Sequence, residues 1–128
     1  MAYNLKVIPI SEFLRSDVSG VVDLKASREL LKGLVEICAK ENLDRILIDG
    51  REARSYASTV DVWTLANDLG LLGLSREYRV AVLNRPKDDF DRMAFLELCA
   101  TNRGYQVRAF RDFEEAFTWL TAGDEVGQ

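Results

Sequence analysis

The sequence predicts a single mixed-sheet α/β domain, and three observations carry that prediction. Short apolar, β-rich runs alternate with stretches of helical period, an order that implies parallel strands joined by right-handed crossover helices. The first β-rich run leads into a second one and not into a helix, which adds an antiparallel hairpin at one edge. At 128 residues the chain is long enough for one core and short for two. The expected order is β-β-α-β-α-β-α-β-α over residues 1–121, followed by a flexible tail over 122–128. A dinucleotide fold is excluded, because no glycine-rich turn leads from the first strand into a helix.

Asn4 to Ile10 is β-rich, and Glu12 to Val18 is its expected hairpin partner through Pro9 to Ser11. Strand alternation then sets Phe13, Arg15 and Asp17 on one side and Leu14, Ser16 and Val18 on the other. From Leu24 to Asn42 the period becomes helical, with Leu30, Leu31, Leu34, Val35 and Cys38 on one face and Asp23 or Ser27 as the cap. Arg45 to Gly50 holds a continuous apolar run, the pattern of a central strand covered on both faces. Gly50 to Ala57 is polar and reads as a loop.

Ser58-Thr59-Val60-Asp61 fits a capping box, in which hydroxyl and carboxylate satisfy each other's end amides. The helix it opens is expected to bury Val62, Leu65, Ala66, Leu69 and Leu72 and to end near Gly70 and Gly73. Tyr78 to Leu83 reads as a strand and Asn84 to Asp88 as a turn. Asp88 or Asp89 would then cap a helix carrying Met93, Leu96, Cys99 and Ala100 on one face and stopping at Gly104. Tyr105 to Phe110 alternates like a partly exposed strand. Asp112 to Glu115 forms a second capping pattern, with Phe113, Ala116, Phe117 and Leu120 turned inward. Trp63 and Trp119 share helical spacing with such residues and are expected in the core.

Composition removes whole classes of function. Lys and Arg number 17 against 21 Asp and Glu, a net charge of −4, which argues against nucleic acid as a partner. The absence of histidine excludes His-based triads, His metal sites and His proton shuttles. Cys38 and Cys99 lie in apolar periodic stretches and read as buried, reduced thiols. There is no membrane-spanning run and no signal peptide at the N-terminus, so the expectation is a soluble cytoplasmic protein without cofactor or metal.

In open α/β sheets ligands gather beyond the carboxyl ends of the strands. Two connectors meet that description, Asp49 to Ser58 and Asn84 to Asp89. They collect the candidate binding residues Asp49, Arg51, Arg54, Tyr56, Ser58, Thr59, Asn84, Arg85 and Lys87, together with Ser55. Arg51, Arg54, Arg85 and Lys87 bias this edge positive, and the free amides of the helix at Ser58 point the same way. A small anion or an acidic protein surface is the expected occupant; the alternative is that these charges only solvate two loops. Tyr56 reads as a lid, a partner anchor or a residue packed on its own loop. No catalytic residue is expected. Asp49 lacks a matched acid or metal and suits a structural role bonded to loop amides, while Ser55 and Ser58 lack an activating histidine. The least favoured reading is a small hydrolase or isomerase built around Asp49.

This element order resembles the STAS domain family, the anti-sigma-factor antagonists and their bacterial single-domain relatives, often grouped with lipid-binding CRAL-TRIO-like domains. The resemblance rests also on the hydroxyl-bearing start of the second helix and on the closing Phe110-x-Asp112-x-Glu114-Glu115-Ala116-x-x-Trp119-Leu120, and it covers the chain to Leu120. It implies a non-catalytic regulatory module with a protein partner. Ser58, in Tyr56-Ala57-Ser58-Thr59, takes the position of the serine that the antagonists have phosphorylated, where they carry Asp-Ser-Ser-Gly. The lipid-binding relatives imply the alternative, a carrier of a small apolar ligand. Sheet edges pair readily, so a homodimer is a further expectation.

Overall fold

The structure, a computed structural model, describes residues 3–9, 12–55, 57–85 and 90–122. Strands and helices follow one another in the expected order: β1 (Tyr3–Pro9), β2 (Leu14–Val22), α1 (Leu24–Glu41), β3 (Arg45–Ser55), α2 (Thr59–Asn67), β4 (Arg79–Leu83), α3 (Phe90–Asn102), β5 (Gln106–Phe110) and α4 (Phe113–Thr121). The five strands form one sheet in the order β1-β2-β3-β4-β5, with β1 antiparallel to β2 and every later pair parallel. Because each parallel step moves in the same direction, right-handed crossovers set α1, α2 and α3 on one face of the sheet. The last helix follows the edge strand and covers the other face over β3, β4 and β5.

Strand alternation divides the interior accordingly. Leu14, Val18, Ile46, Val80 and Val107 join Leu30, Leu34 and Cys38 of α1, Ala66 of α2 and Leu96 of α3 in the main core. Phe13, Leu47, Ala81, Leu83 and Phe110 face the opposite way and close a second core with Ala116 and Leu120 of α4. Ile46 and Leu47, adjacent in β3, are both fully buried, as the unbroken apolar run requires. Both cysteines are buried and unpaired.

The helix ends are satisfied locally. Asp23, and not Ser27, caps α1 by accepting from the Ala26 amide at 2.8 Å, and Asn42 ends that helix in the left-handed region at φ 60°. At α2 the capping box is complete, and Asp112 accepts from the Glu115 amide at 3.0 Å to start α4. Arg45 and Arg79 donate to carbonyls at the end of α4, placing cations against the negative pole of that helix.

Several expectations need correction. The second strand spans Leu14–Val22 and not Glu12 to Val18, and β3 continues to Ser55, so Gly50 to Ser55 is strand and not loop. The two extensions support each other, since Ser19 to Val22 pair with Glu52 to Ser55 beyond a shift in register. Between Asp17↔Asp49 and Ser19↔Glu52 one residue of β2 faces two of β3, a bulge that lets pairing resume. Helix α2 ends at Asn67, and Leu69 and Leu72 are buried from the turn that follows it. Trp63 is not core: it stands 49% exposed on α2, and Phe117 is also exposed. The residues proposed to cap α3, Asp88 and Asp89, lie outside the described residues.

Candidate functional site

Parallel pairing makes the connectors after β3 and β4 leave the same rim of the sheet, but not at the same height. Asp49 is level with Leu83, the last residue of β4, and β3 then runs six residues further to Ser55. At about 3.3 Å per residue this carries its end roughly 20 Å beyond that of β4. The start of α3 reaches across the gap, where Arg92 Nη1 donates to the Ser55 carbonyl at 3.1 Å.

The sheet separates the predicted site residues into two groups. Asp49 and Arg51 lie on the face that α4 covers, beside an open depression lined by Asn4, Lys6, Asp17, Ser19 and Glu52 of β1, β2 and β3. Arg54, exposed and two residues after Glu52, faces the same way. Asn84, Ser58 and Thr59 belong to the opposite side, with α1, α2 and α3. Arg85 is half-buried, while Tyr56 and Lys87 lie outside the described residues.

On the first face Asp49 is buried and saturated with donors. Arg51 gives it Nε at 3.0 Å, Nη2 at 2.8 Å and its backbone amide at 3.1 Å, and Arg15 gives Nη2 at 3.3 Å. Arg15 also binds Asp17 through Nε at 2.9 Å and stacks over the Phe113 ring at 5.4 Å. Burial pushes the Asp49 carboxyl up, but the hydrogen bonds of Arg51 and the charges of Arg51 and Arg15 outweigh it and hold the group below its ordinary value. Asp49 is therefore an ionised structural anchor whose oxygens are already engaged, not a base waiting for a proton. The same bonds neutralise Arg51, so the positive edge expected from the sequence is weaker than a count of arginines suggests.

The other side presents different chemistry. Ser58 Oγ accepts from the Asp61 amide at 3.0 Å, and the Ser58 amide donates to Asp61 Oδ2 at 3.0 Å, with both residues at the surface. Between them Val60 is 69% exposed, one turn on Trp63 is 49% exposed, and the Arg103 guanidinium lies 5.7 Å from the Trp63 ring. Asn84 is buried at 8% exposure, and its Oδ1 has no hydrogen-bond partner among the described residues. The Cys38 thiol is pushed up to about 11, first by burial and then by the Asp44 charge, so it stays protonated. Among the described residues no cluster of acids and cysteines could hold a metal ion, and no helix is long and apolar enough to cross a membrane.

Sequence reasoning missed Arg15, Arg92 and Trp63. The signal for Arg15 was present, a charge alternating with Leu14 and Ser16 on the strand beside Asp49. Its partner is 34 residues away, so only the strand pairing joins them.

No family model matches the sequence, and no curated protein matches it. Solved structures do match. An anti-sigma factor antagonist from Mycobacterium paratuberculosis superposes with a TM-score of 0.61 at 15% identity, covering 92% of this chain and 93% of that one. The chain has the STAS fold. An uncharacterised protein with a SpoIIAA-like fold from Shewanella loihica PV-4 gives a TM-score of 0.59 at 19% identity over 94% of this chain and 95% of its own. The anti-sigma factor antagonist SpoIIAA in its unphosphorylated form gives 0.52 at 13% identity, over 94% and 99%. Element order and the stretch from Phe110 to Leu120 thus pointed to the right architecture. In this STAS fold the capped start of α2 stands at the carboxyl rim of the sheet, with Val60 and Trp63 beside it.

Proposed function

We propose that this chain is a non-catalytic regulatory module that binds a protein partner at the carboxyl rim of its sheet, centred on the start of α2. The observation that carries the reading is the exposure of Val60, next to Thr59, and of Trp63, one helical turn further along α2. Exposed aromatic and branched apolar side chains beside polar ones have the composition of a protein-docking patch, and tryptophan is a frequent anchor in such patches. Three further facts support it. The fold is shared with proteins named as antagonists of an anti-sigma factor, which act on another protein. Asp49, the acid best placed for chemistry, is tied up by two arginines. Arg85, Tyr56 and Lys87 belong by sequence to the connectors adjoining this rim, whereas Arg54 faces the other side of the sheet.

Ser58 is the point at which this module would be switched. Its hydroxyl is exposed at the helix start, where a phosphoryl group gains from the unpaired amides and the dipole but meets the Asp61 carboxylate. Modification there would exchange the capping box for a dianion next to the docking residues.

The test is quantitative affinity capture from the native host using the wild-type chain, a Val60→Ser, Trp63→Ser double variant and a Glu36→Ala control on the exposed face of α1. A defined protein retained by wild type and control and lost with the double variant is expected. Equal retention by all three removes the α2 surface as the site.

A further inference from the structure

The two outer strands of the sheet differ in how their open sides are protected. β5 ends the sheet on one side. The Phe110 carbonyl accepts from the Asn84 amide at 3.0 Å, so Phe110 and Arg108 direct their backbone groups toward β4, and Val107 and Ala109 direct theirs outward. Glu97 of α3 takes the outward Ala109 amide at 2.8 Å, and Arg108 lies 4.0 Å from the same carboxylate. A charged side chain held on a strand edge blocks the approach of another strand. β1 ends the sheet on the other side with a longer run, Tyr3–Pro9, all seven residues of which pair with β2. Among the described residues no further strand pairs with it. Asn4, Leu5 and Lys6 are exposed in succession, hence on both faces of the strand. Leu5 is 38% exposed although it stands opposite the buried Val18, on the face that carries α1.

We infer that β1 pairs antiparallel with β1 of a second copy of this chain, about a two-fold axis that passes through the sheet beside Leu5. This register sets Leu5 against the partner's Leu5 and Lys6 against the partner's Asn4. Leu5 then gains an apolar neighbour directly across the new ladder, and the outward backbone groups from Tyr3 to Val7 find partners. The neighbouring self-pairings are worse. Centring on Lys6 opposes two lysines, and centring on Val7 draws Pro9 into the middle of a sheet, where its missing N–H makes it a poor ladder member. A lysine on an edge ordinarily repels a further strand; here it selects one register. Because the axis is perpendicular to the sheet, the helical layers of both copies share one face and their carboxyl rims point in opposite directions. Each α1 lies over its own β2, so the two helices stand about 14 Å apart, three strand spacings, clear of the roughly 8–10 Å at which helices pack. Val60 and Trp63 take no part in the pairing, so the contact is independent of partner docking at α2.

Sedimentation equilibrium of the full chain reads the association. The wild type is expected to sediment at twice its 14.5 kDa mass. Leu5→Lys, which opposes two charges at the axis, should raise the dissociation constant about tenfold. Leu98→Lys, at an exposed leucine of α3, should leave it unchanged. Oxidative cross-linking reads the register without depending on the stability of the lysine variant, and the buried Cys38 and Cys99 contribute no background. Leu5→Cys should form an intermolecular disulfide, since directly opposed residues lie about 5 Å apart between Cα atoms. Lys6→Cys should not, because two copies of that position come no closer than about 8 Å. A monomer at every concentration overturns the pairing, as does a dimer equally tight in Leu5→Lys and wild type, or cross-linking through Lys6→Cys in place of Leu5→Cys.

Discussion

Arg15, Asp49 and Arg51 make one unit, and its energetics decide what Asp49 is for. Three donors from Arg51 and one from Arg15 hold a buried carboxylate in its charged form. Its folded pKa lies below the unfolded one of about 3.9, so the stabilisation is fully present above that value and is lost as pH falls through the folded value. Asp49→Asn should therefore cost about 1–2 kcal/mol at pH 7, discounted because Arg51 is partly solvated. Urea unfolding at pH 7 and pH 3 checks it: the gap between variant and wild type should narrow in acid. An unchanged midpoint at pH 7 would refute the anchoring role. The sequence exposed Asp49 as a conspicuous acid at a strand end. It could not reveal Arg15 as its partner, because that contact exists only once β2 lies beside β3.

Elements whose determinants are local were legible, and those set by neighbours were not. The apolar face and cap of α1, the capping box of α2 and the Asp112 cap of α4 each rest on residues within a few positions. The second half of β3 does not. Arg51 to Ser55 has little strand propensity, and it is extended because Ser19 to Val22 offer a ladder past the bulge. The α2 capping box offers a sharp test at this scale. Ser58→Ala and Asp61→Ala should each destabilise by about 1 kcal/mol. Because each residue satisfies the other's end amide, the double variant should lose measurably less or more than the sum. Strict additivity in thermal unfolding would mean that the two bonds act separately.

Across the whole molecule, sequential strand order has the largest consequence. It stacks three helices on one face and leaves α4 alone on the other, so residues close in sequence at the rim fall on opposite sides of the sheet. Asp49 and Arg51 share a face with Arg15, whereas Ser58, Asn84 and the exposed Trp63 belong to the helical layer. β3 and β4 run parallel and so point to one rim, as the sequence implied, but Gly50 to Ser55 is strand rather than connector, and alternation within β3 and the depth of the α2 layer separate the side chains expected to meet there. Helical spacing marked Trp63 as core because an inward apolar stripe and an exposed one have the same period. Amide hydrogen exchange of the chain with and without its captured partner tests the central claim most directly. Slowed exchange concentrated over residues 57–66, at the start and outer face of α2, is the predicted result. Protection confined to β1, β2 and the Asp49–Arg51 segment, with α2 unchanged, would contradict it.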